Sequence, residues 1–564
     1  MYDVYESIAR RIAVLATCTL TLIACDGTSA KGDGVPVGGS VVVAVQAEPQ
    51  TLLPPLVAAI DEKIVMDQIF EPLAWMGDDG RIDRDFRPAL ADSWSWSNDS
   101  LAIVFKLNPN ARWQDGTPVR ASDVTFTYEL FSDSVVGYKD RASLAKIDSV
   151  SSPDSLTAIF WFEGRYPEQL YDAAHRMQIV PAHLLANEPR ATLKTAAFGR
   201  APVGSGRFRL AKWTPNTSIE LVADTNHYRG RAKLDRVIFT PVADANALSA
   251  RLTTGEIDVA DIATPDLFKT LSARPDLESH ISPAFNYAYL VFNARAPKQR
   301  AQRNALFSDA GLRRALTMAL DRDLLVRSQF DSLAITAIGP MTRAQPLADS
   351  TIAPIGYDSA GAARLLDSLG WTLPAGKTIR ERNGTALAFK VMTPSVSINR
   401  MAMIVRIQEA FRRMGVAVDV DAIDGNTFMS RLRARDFDVA FDGRTADLSI
   451  SGLRAHWTVA SATDPAGQNV GNYENPVFDM HLDSALAARD VSHARTHAHE
   501  AFTTIVNDAP AIWLYEVRNA TMYHKRLRPA HLVPTAWWSG LSDWHIPADE
   551  RIDRDRVGLK VASR

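Results

Sequence analysis

Short runs of β-branched residues alternate with stretches of helical periodicity along most of this chain of 564 residues. Residues 41–45 read VVVAV, which is too short and too rich in β-branched residues for a helix and predicts a buried strand. In residues 399–414 apolar side chains recur at helical spacing and Gly415 follows, which predicts an amphipathic helix that a glycine ends. Strands alternating with helices indicate α/β lobes with mixed sheets, and the length is that of two large lobes or about three domains.

The same periodicities predict strands at 101–107, 208–210, 237–239, 257–259, 284–293 and 416–422, and helices at 245–254 and 312–330. Residues that favour turns and helix starts are densest at 113–130, WQDGTPVRASDVTFTYEL. Asp115-Gly116 predicts a tight turn there, and Ser122 or Asp123 is expected to cap a helix. These signals account for local folding and leave the function open.

Composition excludes several classes of protein. The net charge is −3, so the chain lacks the basic surplus that is typical of nucleic-acid binding, and we expect no nucleic-acid partner. The only cysteines are Cys18 and Cys25, so the rest of the chain has neither a disulfide framework nor a cysteine metal site. A long cysteine-free chain also suits an oxidising compartment.

The first residues have the pattern of an export signal. Arg10 and Arg11 precede an apolar stretch at 12–24 that is too short for a permanent membrane span, and Cys25 follows it directly. This resembles a bacterial lipobox, so we expect a lipoprotein signal peptide at 1–24, lipidation of Cys25 and a flexible tether at 25–37. The protein would then be lipid-anchored in the cell envelope, periplasmic or extracytoplasmic. The alternative is a short apolar helix that happens to contain a cysteine.

Known chemical motifs find little support in the sequence. Residues 376–378 (GKT) lack the spacing of a phosphate-binding loop, and residues 204–206 (GSG) lack that of a nucleophile elbow. His493, His497 and His499 form the densest histidine cluster, which is either a weak zinc candidate or a solvated helix face. We therefore expect no enzyme, no cofactor and no metal site.

A series of modest motifs occurs in a fixed order, from about residue 41 to residue 544. The matching stretches are 88–94, 113–124, 203–208, 226–230, 252–258, 292–293, 313–322 and 357–371. Together they resemble the family 5 extracellular solute-binding proteins, which are the oligopeptide-, dipeptide- and nickel-binding components of ABC importers.

The resemblance implies an α/β fold, a two-lobed periplasmic-binding-protein-like clamshell with mixed sheets and an extra inserted subdomain (cluster C type). Lobe I would be discontinuous, and two crossing segments near 284–292 and 516–523 would form the hinge. The implied division is 38–60, 202–283 and 524–547 for lobe I, 61–201 for the inserted subdomain and 284–523 for lobe II.

The resemblance further implies a substrate-binding protein that captures a peptide-like solute by hinge closure and delivers it to a membrane permease. Its expected partners are a small peptide, the permease and ATPase subunits, and the membrane through the N-terminal lipid; we expect a monomer. Alternative ligands on the same scaffold are an oligosaccharide, an opine-like compound or a metal chelate. A sensory or chaperone-like receptor and an envelope hydrolase are the remaining hypotheses.

Site residues follow from the resemblance one by one. Asp447 matches the aspartate that holds the amino terminus of a peptide in the family's G-W-x-x-D segment. Arg444 replaces the tryptophan of that segment and is itself a candidate ligand-binding residue. Arg400 is a candidate partner for a ligand carboxylate. Asn469 and Tyr473 match a family segment beside the cleft. Trp457 is a further candidate. The alternatives are a solvated loop carboxylate for Asp447 and a surface charge for Arg400.

Overall fold

A computed structural model describes residues 37–77, 81–297, 299–530, 532–533 and 536–556. The predicted signal peptide, Cys25 and all of the predicted tether except Val37 lie outside these residues. No helix in the described ranges combines the length and the apolar character that a bilayer crossing requires.

The strands are numbered in chain order and have the following bounds: β1 Ser40–Val45, β2 Ala74–Met76, β3 Phe86–Pro88, β4 Ala91–Trp96, β5 Ala102–Leu107, β6 Ile147–Asp154, β7 Thr157–Phe162, β8 Phe208–Thr214, β9 Ser218–Ala223, β10 Arg236–Pro241, β11 Val259–Asp261, β12 Leu277–Phe292, β13 Arg295–Ala296, β14 Gln299–Arg303, β15 Ala334–Thr336, β16 Glu381–Arg382, β17 Thr385–Ala386, β18 Ala388–Pro394, β19 Ala417–Ile423, β20 Val439–Thr445 and β21 Ala511–His524.

The α-helices are numbered in the same way and have the following bounds: α1 Ile60–Ile69, α2 Ala121–Ser132, α3 Gln169–Ala174, α4 Ala182–Leu185, α5 Ala245–Thr253, α6 Pro265–Ser272, α7 Ala310–Met318, α8 Arg322–Phe330, α9 Ser359–Ser368, α10 Ile398–Arg413, α11 Gly425–Arg433, α12 Gly452–Trp457, α13 Val459–Thr463, α14 Pro476–Leu486 and α15 Val491–Asp508.

The largest sheet has the strand order β19-β18-β20-β12-β21-β11-β1-β10-β9-β8, and β15 pairs with β21 beside this path. Strand β1 is parallel to β10 and β11, and β18 is parallel to β19 and β20. The other neighbouring strands on this path are antiparallel. The sheet is therefore mixed, as the sequence predicts.

Two long strands, β12 and β21, carry the hydrogen bonding from one half of this sheet to the other. Strand β21 pairs with β11 through residues 521–523, and β12 pairs with β20 through residues 286–292. Their mutual ladder is interrupted between Pro283 and Tyr287. The interruption leaves residues 284–286 outside the regular β12–β21 pairing, and these residues face a cleft that is described below.

Side-chain alternation along β12 separates two hydrophobic clusters. Tyr287 and Tyr289 point to the side covered by α14 and α15, whereas Leu290 and Phe292 point to the side covered by helices α7–α10. Successive side chains of a strand face opposite sides of a sheet, so one buried strand stabilises both layers. The near-continuous apolar run that predicts this strand thus reflects burial on both faces.

Two further clusters lie in the other part of the molecule. One joins β1, β8–β10 and α1 to tryptophans of the C-terminal segment, including Trp537 and Trp538. The other fills the space between α2 and the four-stranded antiparallel sheet β4-β5-β7-β6, within the segment predicted as an inserted subdomain. Each cluster draws on residues distant in sequence, so the chain must fold back repeatedly to complete them.

Two local predictions are wrong. The single helix expected at 312–330 is two helices, α7 and α8, because the Asp321 side chain accepts the N–H of Leu324 and starts a new helix. The helix after the Asp115-Gly116 turn begins at Ala121, with Arg120 as its N-cap residue. Asp123 acts instead from the third helical position, where its carboxylate accepts the Arg120 N–H at 2.9 Å.

Candidate functional site

A cleft runs across β12, β20 and β21 and consists of three adjoining cavities of about 520, 510 and 340 Å³, called here the first, second and third cavity. The first and second cavities share Asp261 and Asn519. The first and third share Thr445, and the second and third share Arg400 and Tyr515. A solute that lies along the cleft can therefore extend from one cavity into the next.

Helix α1 supplies one wall of the cleft, and its position follows from its own capping. Glu62 accepts the backbone N–H groups of Ala58 and Ala59 at 2.8 and 3.0 Å, which satisfies donors at the helix start. Further along, Asp67 accepts from Lys63 at 2.9 Å and from the indole N–H of Trp538 at 2.9 Å. Lys63 and Trp538 both line the first cavity, so this network holds cleft residues through buried hydrogen bonds.

Asp447 lines the first cavity, and the structure brings it close to an arginine that the sequence analysis did not single out. Arg176 Nη1 lies 3.6 Å from an Asp447 oxygen, while its Nε donates to Asp172 at 2.7 Å. The Arg176 side chain is almost fully buried, whereas that of Asp447 is 40% exposed. Burial opposes the charge of Arg176, but Asp172 and the other anionic neighbours raise its pKa well above the usual value. Arg176 thus stays charged beside Asp447.

The loop that follows Asp447 is anchored by a buried carboxyl group. The Ser449 hydroxyl donates to Glu168 at 2.8 Å. Burial, followed by the charge of Asp172, raises the pKa of Glu168 from 4.5 to about 7; Ser449, Arg176 and Lys146 act in the opposite direction. At neutral pH a proton is therefore partly retained on a carboxyl group that lies behind the wall of the first cavity.

Glu168→Gln is expected to stabilise the protein above pH 7. An unfolded Glu168 ionises near pH 4.5 and the folded one near 7, so its contribution to stability falls as the pH rises through this interval. Glutamine keeps an acceptor for Ser449 without the charge. One pKa unit corresponds to about 1.4 kcal/mol, so the gain at pH 8 is on the order of a few kcal/mol. Melting temperatures of both proteins between pH 4.5 and 8 test this; a variant less stable than wild type at pH 8 would contradict it.

Arg400 and Arg444 lie on the third cavity but are held differently. Arg444 donates to the Tyr289 hydroxyl at 3.1 Å and lies 3.4 Å from Asp442. Burial works against its charge, yet Tyr289 and Asp442 together raise its pKa above the usual value. The positive charge of Arg444 is thus largely compensated by these two neighbours within the sheet.

Arg400, at the start of α10, donates to the Phe441 carbonyl at 3.1 Å. Within the described residues, no acidic side chain lies at ion-pair distance from it. Gly443 leaves room for its guanidinium, because a Cβ at that position would lie 2.7 Å from Arg400 Nη2. Arg400 therefore presents an uncompensated positive charge to the second and third cavities.

The other three predicted residues lie in the protein interior. Asn469 is fully buried and donates to the carbonyls of Thr458 and Tyr473. The Tyr473 hydroxyl donates to Asp508 at 2.8 Å beside a separate cavity of about 170 Å³. Trp457 packs edge-on against Trp513, with ring centroids 5.1 Å apart. Each has a structural role here, and ligand contact by these three stays a prediction.

The three predicted histidines have different partners. His493 contacts Asp490 at 2.7 Å, and His499 contacts Asp349 at 2.7 Å. His497 instead approaches His481, 3.4 Å away. In the ranges that the structure covers, no group of three or more His, Cys, Asp or Glu side chains has the arrangement of a metal site.

Sequence reasoning missed residues that complete the cleft, among them Arg176, Asp261 and Trp537. Asp261 has a detectable signal, since it is a polar residue that closely follows a predicted strand at 257–259. Arg176 and Trp537 have none, because each reaches the cleft only through tertiary contacts.

Comparison with known proteins identifies the family to which this chain belongs. The family model for bacterial extracellular solute-binding proteins, family 5 Middle, matches residues 85–464, well over half of the chain. The chain belongs to this family. The resemblance stated from the sequence is therefore confirmed, as is the prediction of a solute-binding protein of the ABC-importer class.

A curated relative matches this family 5 protein over most of its length. It is 25% identical to the oligopeptide-binding protein AppA of Bacillus subtilis (strain 168) over 520 residues, which are 90% of this chain and 93% of AppA.

Two solved structures share the fold. The ABC transporter substrate-binding protein CtaP of Listeria monocytogenes has a TM-score of 0.77 at 21% identity, covering 90% of this chain and 99% of CtaP. The Bacillus subtilis AppA complex with a nonapeptide has a TM-score of 0.70 at 23% identity, covering 91% of this chain and 100% of the other. The predicted two-lobed α/β fold is confirmed.

Proposed function

We propose that this family 5 protein captures a peptide-like solute in the cleft, closes over it and delivers it unchanged to permease and ATPase subunits of an importer. The observation that carries the proposal is the continuous cleft across β12, β20 and β21, with Asp447 in the first cavity and the uncompensated Arg400 in the second and third. A free peptide carries a positive and a negative end, so separated charges of this kind complement it.

Closure requires lobes that move about a hinge, and the arrangement of the strands supports the proposed boundaries. We assign 38–60, 202–283 and 524–547 to lobe I, 61–201 to an inserted subdomain and 284–523 to lobe II. The hinge would lie where β12 and β21 pass from one lobe to the other, at the interruption of the hydrogen bonding between these two strands. A ligand favours the closed state by its difference in affinity for the two states. The proposal includes a monomer, lipid-anchored through Cys25, that performs no catalysis.

Small-angle X-ray scattering and native mass spectrometry of the full chain test the proposal. With a peptic digest of casein as the peptide source, we expect the radius of gyration to fall and peptides to be retained intact through gel filtration. A scattering curve that does not change together with the absence of retained peptides would refute peptide capture. Retained peptides that the protein cleaves would refute a purely binding role.

Asp447→Ala is expected to weaken peptide binding several-fold. The side chain is partly exposed and already has Arg176 as a neighbour, so the loss corresponds to an exposed charge pair of about 1 kcal/mol. The readout is the digest concentration that gives half of the maximal rise in melting temperature. Asp419→Ala is the control, because its carboxylate is 71% exposed and its ion-pair partner in the described part of the chain is an exposed lysine. An unchanged half-point in Asp447→Ala would remove this residue from the site.

A non-peptide anionic solute is the second candidate, favoured by one observation. Arg176 lies beside Asp447 in the first cavity and stays charged, so the negative charge of Asp447 is partly compensated before any ligand binds. A single retained non-peptide mass, recovered from the protein as purified, would support this candidate.

A further inference from the structure

Asp261 occupies the junction of the two largest cavities of the cleft. It is the last residue of β11, where it pairs in register with Thr521 of β21. Its side chain is exposed to the cleft and lines both the first and the second cavity. A solute that extends from one cavity to the other must pass this carboxylate.

The Asp261 carboxylate accepts hydrogen bonds from neutral groups only. Thr521 Oγ1 donates to Oδ1 at 2.6 Å, and the indole N–H of Trp537 donates to Oδ2 at 3.3 Å. Among the residues that the structure covers, no Lys, Arg or His lies within ion-pair distance of it. By contrast, Asp67 and Asp447 have Lys63 and Arg176 as cationic neighbours. Asp61 lines the second cavity and Asp140 the first, also without an ion pair in the described chain, but only Asp261 of these three lines both cavities.

The surroundings of Asp261 make this charge costly. Protein surrounds the carboxylate except where the cleft opens, and this desolvation raises its pKa, as does the nearby charge of Asp61. The hydrogen bonds from Thr521 and Trp537 only partly offset it. The part of the carboxylate that faces the cleft is therefore the part that is open to a cationic group of the solute.

The opposite charge lies on the same cavity. Arg400 and Arg518 line the second cavity, and in the described chain neither has an acidic side chain at ion-pair distance. Arg400 donates to the Phe441 carbonyl at 3.1 Å and also interacts with the Tyr515 hydroxyl, and Arg518 donates to the Ser332 carbonyl at 3.5 Å. The second cavity therefore has a negative region at Asp261 and Asp61 and a positive region at Arg400 and Arg518, and in the described chain none of these four side chains forms an ion pair.

We infer that Asp261 is a cation-binding subsite of the cleft, which takes an ammonium or guanidinium group of the solute while Arg400 takes a carboxylate. The inference rests on the proposed function and adds a charge requirement at a defined position. The cationic group is either the terminal amino group of a peptide or a basic side chain, and the experiment separates these sources.

The test compares full-length wild type, Asp261→Asn and the surface control Asp419→Asn. Each is incubated with a peptic digest of casein, passed through gel filtration and analysed by native mass spectrometry. A second sample of the digest is acetylated, which removes the charge of amino groups and leaves guanidinium groups intact. We expect Asp261→Asn to retain about 10- to 100-fold less peptide at equal digest concentration, the range for losing a charged hydrogen bond, and Asp419→Asn to match wild type.

The composition of the retained peptides identifies the source of the cation. Acetylation that lowers retention by wild type and causes no further loss in Asp261→Asn, without enrichment of basic residues, assigns the subsite to the terminal amine. Enrichment of Lys or Arg at one position, lost in Asp261→Asn, assigns it to a side chain. Both results support the inference.

Stability separates a ligand role from a structural one. Asparagine removes the charge and one of the two acceptor oxygens, so Asp261→Asn is expected to melt close to the wild-type temperature at pH 8. A clearly lower melting temperature, or retention of the same peptides in the same amount as wild type, would overturn the inference while the proposed function stands. If wild type itself retains no peptide, the proposed function falls and the inference falls with it.

Discussion

Gly204→Ala is expected to destabilise the protein by about 3 kcal/mol or more and to displace helix α1. A Cβ at Gly204 would lie 1.9 Å from the Ile69 carbonyl oxygen and 2.7 Å from its carbon. These are backbone atoms at the end of the helix, so no side-chain rotation relieves the clash. The turn cannot move away easily either, since Gly204 exchanges hydrogen bonds with Gln114 and the Gly206 N–H donates to Ile69.

The displacement of helix α1 in Gly204→Ala should also change the cleft. Helix α1 places Ile60, Lys63 and Met66 on the first cavity, so a shift of this helix changes the shape of the binding surface. Urea unfolding gives the loss of stability, and peptide retention gives the loss of binding. Gly164→Ala is the matched control, because nothing lies within 4 Å of a Cβ there. A Gly204→Ala protein as stable as the control would contradict the prediction, because it would show that the backbone at Ile69 accommodates the added Cβ without loss of stability.

Arg526→Ala is expected to cost about 3–5 kcal/mol, the range for removing one partner of a buried ion pair. Arg526 lies 2.7 Å from an Asp258 oxygen and 2.6 Å from an Asp555 oxygen, and both carboxylates are fully buried. The same acids accept the backbone N–H groups of Val42 and Ser40 at 2.8 Å. The cluster thus fixes β1, the strand on which that half of the sheet is built.

The loss of stability in Arg526→Ala should depend on pH in a predictable direction. Burial already raises the pKa of Asp258 although Arg526 and Arg554 lower it, so removal of Arg526 raises it further. The variant should therefore be least stable at high pH and should recover part of its stability as the pH falls and the carboxyl is protonated.

Denaturant unfolding of Arg526→Ala between pH 5 and 8 is the measurement. Arg413→Ala is the control, because its side chain is 74% exposed and pairs with a partly exposed Glu409. Adding Asp258→Asn to Arg526→Ala should restore part of the loss. A loss of less than about 1 kcal/mol, as for a surface pair, would contradict the argument.

Local patterns predict a large part of the fold. The strand at 41–45 and the helix at 399–414 agree with β1 and α10 to within one residue at each end. The prediction of one helix at 312–330 fails because its apolar spacing continues across Asp321, where a side-chain hydrogen bond starts a second helix. Periodicity reports which face is buried; it does not report whether the backbone is continuous.

The residues of the candidate site were likewise predicted from the sequence only in part. Asp447, Arg444 and Arg400 carry a family resemblance or a helix-start position, and all three lie on the cleft. Asn469 and Tyr473 carry the same kind of resemblance, yet they form hydrogen bonds within the interior. A motif identifies residues that a family shares and does not separate those that hold the ligand from those that hold the fold.

The sequence by itself determined the order and type of most elements, the family and the class of function, because these depend on neighbours along the chain and on motifs in a fixed order. Only the tertiary structure decided which charges are paired. It placed Arg176 beside Asp447, and among the described residues it left Asp261 and Arg400 without a counter-ion, although these residues are far apart in sequence. Electrostatic interactions depend on distance and burial in space, and neither quantity is written in the local order of residues.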